Sequence, residues 1–240
     1  MKFRFSIIIP VFNEAPIIGG VIESHCRLGN VEIILSDGGS DDGTIKIAEE
    51  FTKKYSNVLL TSSIKGRGIQ MNTGAKLARG EWLIFLHADT LLPTASFRAL
   101  VQHIEEHPET HAGAFTLRLE HKSFFYRYME FYAKWRCRLI QLPFGDHGFF
   151  IRKTIFVKLG GFRDDFPIME DVEMIRRLKR QCSLAILKAP VFSSVRRFEK
   201  DGRFNRALTN LLVQSLYFFG QHPRQLAQLY NREAHESHGK

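Results

Sequence analysis

Residues 31–44 read V-E-I-I-L-S-D-G-G-S-D-D-G-T. The apolar run at 31–35 predicts a strand that is buried on both faces, as strands of parallel sheets are. Asp37 follows this strand closely, two glycines then permit a tight turn, and the Ser-Asp-Asp at 40–42 predicts the cap of a helix. A strand, a short polar loop and a capped helix form the repeating unit of a doubly wound α/β fold.

The same unit recurs on both sides of this stretch, across the first half of the chain. Apolar runs predict strands at 6–12, 57–61 and 82–86, and helical spacing predicts helices that begin near Pro16 and span 69–79. Consecutive units of this size favour right-handed crossovers between parallel strands. We therefore expect an α/β fold with a mostly parallel, Rossmann-like twisted sheet that is flanked by helices.

Acidic residues follow three apolar runs. Asp37 and Asp89 come after two of the predicted strands, and the pair Glu170–Asp171 closes the strand-like stretch 162–169. The carboxyl ends of strands in such a sheet form the crevice where ligands bind. Carboxylates that converge there in a basic protein predict a bound cation and a general base. For the third site, the alternative is that the acids only stabilise the start of a helix.

His87 and Asp89 form the candidate metal site. They lie two residues apart, so both side chains leave an extended chain on the same side. Imidazole and carboxylate groups both bind divalent cations, and Mg²⁺ and Mn²⁺ favour carboxylate oxygen. A histidine with a purely structural role is the alternative at His87.

Two glycine-containing loops are candidate anion sites. In K-G-R-G at 65–68, the flanking glycines allow Arg67 to project toward a phosphate. In S-D-G-G-S-D-D-G-T at 36–44, backbone N–H groups at a helix start favour a phosphate or a carboxylate. The alternatives are a solvated turn for the loop at 65–68 and a capped turn between a strand and a helix for the segment at 36–44.

Composition excludes several classes of protein. With 240 residues and 44% hydrophobic side chains, the chain is long enough for a full core and is not disordered or fibrous. No apolar stretch approaches the roughly 20 residues of a membrane-spanning helix, and the first apolar run is too short for a signal peptide. Three widely spaced cysteines favour a reducing compartment. We expect a cytoplasmic protein whose net charge of +9 attracts nucleic acid, anionic lipid or a phosphorylated small molecule.

The second half of the chain is richer in aromatic residues. Fourteen of the 29 aromatic residues lie between Phe115 and Phe166, which predicts an aromatic-rich helical elaboration of the fold. No Pro/Gly/Ser-rich linker is present, so we expect one domain over 1–231 and a polar tail at 232–240. At 122–138, cations interleave with aromatic residues, a pattern typical of helices that lie on a membrane. Packing of this helix into the core is the alternative.

Five motifs in this order resemble family 2 glycosyltransferases of the GT-A fold. They are S-I-I-I-P-V-F-N-E at 6–14, S-D-G-G-S-D-D-G-T at 36–44, G-R-G-I-Q-M-N-T-G-A at 66–75, F-L-H-A-D-T at 85–90 and P-I-M-E-D-V-E at 167–173. The resemblance implies an inverting enzyme that moves a sugar from a nucleotide-diphosphate donor to an acceptor hydroxyl. It also implies a nucleotide-binding half, 1–110, and an acceptor and catalytic-base half, 111–231.

The resemblance assigns roles to individual residues. Asp171, beside Glu170, corresponds to the catalytic base. Asp89 and His87 correspond to the D-x-D element that holds a divalent metal, Mg²⁺ or Mn²⁺, and the diphosphate. The implied nucleotide-binding residues are Pro10, Phe12, Glu14, Asp37, Gly38, Arg67 and Ala88. Two positions depart from the usual motifs: Gly38 stands where a second aspartate is common, and His87 replaces the first D of D-x-D, as in an H-A-D subset of the family.

Three further residues are candidates for contacts with the sugar or the acceptor. Asp146 and His147 lie in a G-D-H-G segment before an apolar run, and Arg196 follows another apolar run. A tight turn and a basic strand end are the respective alternatives. The sequence does not identify the acceptor, and a lipid-linked one would fit peripheral membrane contact through 122–138.

Two other functions stay open at this point. A nucleotidyltransferase on a related sheet is expected to carry a glycine-rich signature loop near its first strand, where this chain has P-V-F-N-E-A-P. A basic nucleic-acid-binding protein is expected to show the face motifs of a known module, and we find none. We therefore expect no nucleic-acid partner.

Overall fold

The computed structural model describes residues 3–236, with side chains described as far as residue 230. This part of the chain contains eight strands and ten α-helices. The strands are β1 Phe5–Val11, β2 Val31–Asp37, β3 Val58–Ser62, β4 Trp82–Phe85, β5 Thr90–Leu91, β6 Ala112–Leu119, β7 Phe149–Arg152 and β8 Ala185–Ser193. The helices are α1 Ala15–Cys26, α2 Thr44–Lys54, α3 Arg67–Leu77, α4 Thr94–Glu106, α5 Phe124–Ile140, α6 Lys153–Lys158, α7 Glu170–Leu178, α8 Arg196–Asp201, α9 Arg203–Phe218 and α10 Pro223–Glu236.

The strands form one mixed sheet in the order β3-β2-β1-β4-β7-β6-β8-β5. Strands β1 to β4 are parallel to their neighbours among these four, as their apolar runs predicted. Beyond β4 the directions are mixed: β7 is antiparallel to β4 and β6, β6 is parallel to β8, and β5 is antiparallel to β8. The predicted α/β fold is confirmed, and its parallel character is concentrated in the first four strands.

The two faces of the sheet bury two separate cores. Because side chains alternate along a strand, Ile7 and Ile9 of β1 pack on one face with Ile18 of α1, whereas Ile8 packs on the other face with Ile175 of α7. Helices therefore cover both faces. A ligand can approach the central strands only at their ends, which places the crevice there.

The stretch 162–169 is a loop, not the strand that we predicted. Phe162 and Met169 are buried in the second core, which explains the apolar pattern. Gly161 and Met169 have positive φ and turn the chain. Glu170 consequently begins α7, so the third acidic site lies at a helix start, as the alternative interpretation had it.

Two helix ends differ from expectation. Helix α2 begins at Thr44 after Gly43, which has a φ of 96°, so the predicted Ser-Asp-Asp cap at 40–42 lies before the N-cap position. Of these three residues, Asp42 still accepts a hydrogen bond from the backbone N–H of Thr44, at 3.0 Å. Helix α10 continues through Glu236, so residues 232–236 of the predicted polar tail are helical. Residues 237–240 lie outside the described part of the chain.

Helix α5 contains most of the aromatic segment 122–138. Tyr126 and Cys137 face the core, whereas Phe131 and Trp135 are exposed. Packing into the core therefore accounts for only one side of this helix. Among the helices of residues 3–236, none combines the length and the apolar character that crossing a bilayer requires.

Candidate active site

The candidate active site lies at the carboxyl ends of the parallel strands. Val11 and Asp37 are partners at the last position of β1 and β2. Just beyond β4, the backbone N–H of Leu86 still donates to the carbonyl oxygen of Ile8, at 3.1 Å, and residues 87–89 follow. The loops that carry Asp37 and Asp89 therefore leave the sheet along the same edge.

Asp37 is buried and holds its own loop together. One carboxylate oxygen accepts hydrogen bonds from the backbone N–H groups of Gly39 and Ser40, at 2.7 and 3.0 Å, and the other accepts from the Ser40 hydroxyl at 2.5 Å. The Ser40 oxygen in turn accepts from the backbone N–H of Asn13 at 2.9 Å. The loops after β1 and β2 are cross-linked in this way, which is why Ser40 does not cap α2.

Gly38 leaves space for Gln70. A Cβ at Gly38 would lie 3.0 Å from the side-chain nitrogen of Gln70. That nitrogen is buried and donates to the carbonyl oxygens of Val11 and Ser36, each at 2.8 Å. An aspartate at position 38 would crowd Gln70 and disrupt these two buried hydrogen bonds, although the Val11 carbonyl would keep its other partner, the backbone N–H of residue 38 at 2.9 Å. This crowding explains the departure from the usual pair of aspartates.

The remaining residues of the implied nucleotide site lie at the same edge. Pro10 and Phe12 are half-buried, and Ala88 is buried. The ammonium group of Lys65 lies 3.6 Å from the centroid of the Phe12 ring. A cation over this ring covers one of its faces.

Arg67 forms an ion pair with Glu170. Its Nε donates to Oε1 of Glu170, which is completely buried, while the Arg67 side chain is 34% exposed. Oε2 of Glu170 is buried without a hydrogen-bond partner. Burial raises the pKa of Glu170; the charge of Arg67 opposes this effect and that of Asp171 adds to it. The ion pair joins the start of α3 to the start of α7.

Asp171 faces the 3₁₀ turn Gly145–His147. Its Oδ2 accepts a hydrogen bond from the backbone N–H of Gly145 at 2.5 Å. A Cβ at Gly145 would lie 2.7 Å from Nε2 of His87 and 3.2 Å from Oδ2 of Asp171. The carboxylate and the imidazole therefore approach each other around this glycine.

Asp89 and His87 have the properties of cation ligands. Oδ1 of Asp89 is buried and has no hydrogen-bond partner, an arrangement that is costly unless a charge or a donor compensates it. Burial raises the pKa of Asp89, and the charge of Arg197 opposes this rise. Burial also lowers the pKa of His87 well below its usual value, as do the charges of Arg67 and Arg197, so the imidazole is neutral near pH 7.

A cation at Asp89 would need ligands from the substrate. Among the described residues, no group of three or more His, Cys, Asp or Glu side chains is arranged to hold a metal ion. Asp89, with His87 beside it, can supply the first protein ligands. Phosphate oxygens suit the remaining positions of a Mg²⁺ or Mn²⁺ ion.

Glu14 is paired with two arginines from the other end of the chain. Arg196 donates to one of its carboxylate oxygens, and Arg197 donates to the other at 3.3 Å. Nε of Arg197 also lies 3.9 Å from Oδ2 of Asp89. Arg197 thus links Glu14, in the loop after β1, to the candidate metal site at Asp89. The basic pair Arg196–Arg197 was visible in the sequence, but only Arg196 was a predicted site residue.

The two candidates in the 3₁₀ turn have different surroundings. Oδ1 of Asp146 is buried without a hydrogen-bond partner, and the charge of Asp146 contributes to the raised pKa of Asp89. His147 is only 1% exposed, and its Nδ1 lies 3.2 Å from the carbonyl oxygen of Phe115 and 3.7 Å from Sγ of Cys137. Asp146 therefore lies near the crevice, whereas His147 packs beneath α5.

The model of the family described as glycosyl transferase family 2 matches residues 6–162. The chain belongs to glycosyl transferase family 2. The resemblance carried by the five motifs is confirmed at the level of the family. Family membership favours the glycosyltransferase prediction over the nucleotidyltransferase and the nucleic-acid-binding protein.

Curated relatives match part of this family 2 chain. A PGL/p-HBAD biosynthesis glycosyltransferase of Mycobacterium bovis is 40% identical over 101 residues, which cover 40% of this chain and 40% of that protein. A cholesterol galactosyltransferase of Borreliella burgdorferi is 32% identical over 102 residues, which cover 41% of this chain and 28% of that protein. The matched region spans 40% or less of the length of these two relatives.

Solved structures resemble this family 2 chain over nearly its whole length. Residues 1–349 of TarS from S. aureus match with a TM-score of 0.68 and 17% identity, covering 98% of this chain and 72% of that one. The mannosyltransferase PcManGT from Pyrobaculum calidifontis, solved with GDP-Man and Mn²⁺, matches with a TM-score of 0.67 and 19% identity, covering 98% and 70%. At these identities the likeness establishes the fold, which is GT-A.

Proposed function

We propose that this family 2 glycosyltransferase moves a sugar from a nucleotide-diphosphate donor to an acceptor hydroxyl, with inversion at the anomeric centre. The observation that carries the proposal is the approach of Asp171 to His87 around Gly145, beside Asp89 with its unpaired buried oxygen. A single displacement needs a base on one side of the sugar and a stabilised diphosphate on the other. The start of α7 and the end of β4 offer these two functions across one crevice.

The nucleotide is proposed to bind on the loops after β1, β2 and β4. Arg67 uses Nε for Glu170, which leaves the other guanidinium N–H groups for the diphosphate. Arg197, near Asp89, is a second cation for the same charge. The proposed nucleotide-binding residues are Pro10, Phe12, Glu14, Asp37, Gly38, Arg67 and Ala88.

Asp89 and His87 would hold a divalent metal, Mg²⁺ or Mn²⁺. When bound, such an ion supplies Lewis-acid stabilisation of the charge that develops on the leaving diphosphate. The unpaired oxygen of Asp89 and the neutral imidazole of His87 fit a cation, and a carboxylate is the protein ligand that both ions favour. The presence of Mn²⁺ with GDP-Man in the PcManGT structure supports this assignment.

Asp171 is the proposed general base. Its half-buried carboxylate is oriented by the N–H of Gly145 and keeps lone pairs with which to accept the proton of the acceptor hydroxyl. Glu170 is fully buried and bonded to Arg67, so we propose a positioning role for it rather than contact with the substrate.

The acceptor is proposed to be lipid-linked and to reach the crevice near Asp146 and Arg196. The name of the Borreliella burgdorferi relative, a cholesterol galactosyltransferase, supports a lipid acceptor. His147 would contact the acceptor only if its packing against Cys137 opened. A cytoplasmic location, at the inner face of the membrane, belongs to the same proposal.

Calorimetric titration tests the donor half of the proposal. The purified chain is titrated with UDP, GDP, CDP and dTDP, each with and without Mn²⁺, and we expect at least one to bind more tightly with Mn²⁺. The corresponding nucleotide sugar and a model acceptor alcohol are then incubated with the enzyme, and the anomeric configuration of the product is read by NMR. Absence of nucleotide binding, or a product with retained configuration, would contradict the proposal.

A further inference from the structure

Helix α5 exposes an apolar stripe on the side that faces away from the core. Its buried side contains Tyr126, Ala133 and Cys137. Five large side chains recur at helical spacing along the other side and are 51% to 85% exposed: Phe124, Tyr128, Phe131, Trp135 and Leu139. An exposed, contiguous apolar surface of this kind marks an interaction site.

Helix α9 exposes a second apolar stripe. Its members are 45% to 90% exposed: Phe204, Leu208, Leu211, Leu212, Phe218 and the adjoining Phe219. The two helices meet at their amino ends, where the rings of Phe125 and Phe204 are 5.0 Å apart. Near their other ends, the carbonyl of Ile140 accepts from Lys179, which directly follows α7, and the Tyr217 ring lies 5.9 Å from the guanidinium of Arg176 in α7. Both stripes therefore belong to helices that run between the same two regions of the molecule.

The charged residues on these two helices are almost all basic. Helix α5 carries Arg127, Lys134, Arg136 and Arg138. Its single acid, Glu130, is 5% exposed and is paired with Arg118 and Arg127. Helix α9 carries two arginines and no acid. A partner that covers the stripes must therefore be compatible with a basic surface.

A basic cavity of about 190 Å³ opens beside the stripe of α5. Three cations line it, Lys134 and Arg138 from α5 and Lys188 from β8. No acidic side chain is among the residues that line this cavity. Its position beside exposed aromatic residues suits an anionic group that is attached to an apolar body.

We propose that the exposed sides of α5 and α9 bind the surface of a membrane that contains anionic phospholipid, with the cavity at Lys134, Arg138 and Lys188 receiving a phosphate headgroup. The aromatic and leucine side chains enter the interface between headgroups and acyl chains, and the cations remain at the level of the phosphates. The net charge of +9 attracts the whole chain to such a surface.

A second copy of the chain fits these stripes less well than a membrane does. If each copy presented the same face to its partner, two basic surfaces would face each other, and like charges at an interface are strongly unfavourable. An anionic lipid surface neutralises them instead. The charge on the two helices thus selects one occupant for the exposed apolar surface.

Intrinsic fluorescence offers a direct test, because the chain has only two tryptophans. Trp82 is fully buried, and Trp135 is 51% exposed on the stripe of α5. A change on addition of vesicles therefore reports on Trp135. With vesicles of phosphatidylcholine and phosphatidylglycerol we expect a blue shift and protection from acrylamide, both weakened by salt. Vesicles of phosphatidylcholine alone should produce much less of either effect.

Variants separate the apolar and the electrostatic contributions to membrane binding. The measured quantity is the partition coefficient of the protein between vesicles and water. Phe131→Ser with Leu139→Ser should lower it more than tenfold, because both apolar side chains leave the interface. Lys134→Gln and Arg138→Gln should each lower it about fivefold. Val157→Ser, on α6 and 65% exposed, is the matched control and should leave it unchanged.

Two results would overturn the proposal. One is the absence of a preference for anionic vesicles, seen as equal responses to neutral and anionic vesicles or as no response to either. The other is a blue shift that grows with protein concentration in the absence of lipid, together with a doubled mass in light scattering, which would assign the stripes to a second copy. Neither readout depends on glycosyl transfer, so the result is independent of the proposed donor chemistry.

Discussion

Removal of Arg67 should destabilise the fold, because it leaves a buried carboxylate without its partner. Glu170 is completely buried, its Oε1 accepts from Arg67, and its Oε2 has no hydrogen-bond partner. Breaking a buried ion pair from one side costs about 3–5 kcal/mol. We expect Arg67→Ala to cost about 3 kcal/mol, near the lower limit, because Arg67 is 34% exposed and water can reach the carboxylate once the side chain is gone. For a domain of this size the Tm should fall by about 6–12 °C.

The pair formed by Arg79 and Glu32 is a matched control. Glu32 is also completely buried, but it accepts from the Ser6 hydroxyl at 2.6 Å and from the backbone N–H of Gly80 at 3.2 Å as well. Arg79→Ala should therefore cost only about 1 kcal/mol. The double variant Arg67→Ala/Glu170→Gln should recover part of the lost stability, because the uncompensated charge is removed.

Urea unfolding followed by circular dichroism measures all of these variants under the same conditions. A cost of Arg67→Ala that is no larger than that of Arg79→Ala, or a further loss of stability on adding Glu170→Gln, would contradict this role of the ion pair. Donor binding by the double variant separates the two roles of Arg67. A restored fold without restored nucleotide affinity would assign Arg67 to the nucleotide as well as to the ion pair.

Three further predictions concern the same crevice. Gly145→Ala would place a Cβ 2.7 Å from Nε2 of His87. The resulting displacement of the imidazole should lower kcat about 100-fold and leave the Tm nearly unchanged. An unchanged kcat would show that the 3₁₀ turn adapts to the added methyl group. Burial gives Glu170 a pKa above its usual value in the folded chain, so the wild type should lose stability relative to Glu170→Gln as the pH rises above 4.5. Urea unfolding of both proteins between acidic and neutral pH measures this difference. The opposite trend would mean that the ion pair with Arg67 outweighs the effect of burial on the pKa. Gly38→Asp should cost about 1–3 kcal/mol in thermal unfolding because it displaces Gln70, and a stabilised variant would argue against that explanation of the glycine.

The sequence predicted the first half of the sheet mainly because three of its four parallel strands, β1, β2 and β4, are buried on both faces. The runs at 6–12, 31–35, 57–61 and 82–86 correspond to β1 to β4, with ends that differ by one or two residues. A continuous apolar run of this length is a strong local signal. The order of β6, β7 and β8 in the sheet was not predicted, because it depends on pairing between distant segments.

Local sequence patterns did not predict contacts between residues that are far apart in the chain, and they did not distinguish a buried loop from a strand. The apolar residues of 162–169 fill the second core from a loop, which alternation does not distinguish from a strand. The ion pairs of Glu14 with Arg196 and Arg197 join residues more than 180 positions apart. The sequence also did not show that Trp135 is exposed and Tyr126 is buried, because both residues lie in the same aromatic segment.

The most direct test of the account is to measure nucleotide binding and turnover separately in two variants. Titration calorimetry with the preferred nucleoside diphosphate and Mn²⁺ should show that Asp89→Ala has lost metal-dependent binding and that Asp171→Asn binds like the wild type. Turnover of Asp171→Asn should fall by about 10²–10⁴-fold, the range for a lost general base. Full turnover by Asp171→Asn, or unchanged Mn²⁺-dependent binding by Asp89→Ala, would contradict the central claim that these two carboxylates divide base and metal between them.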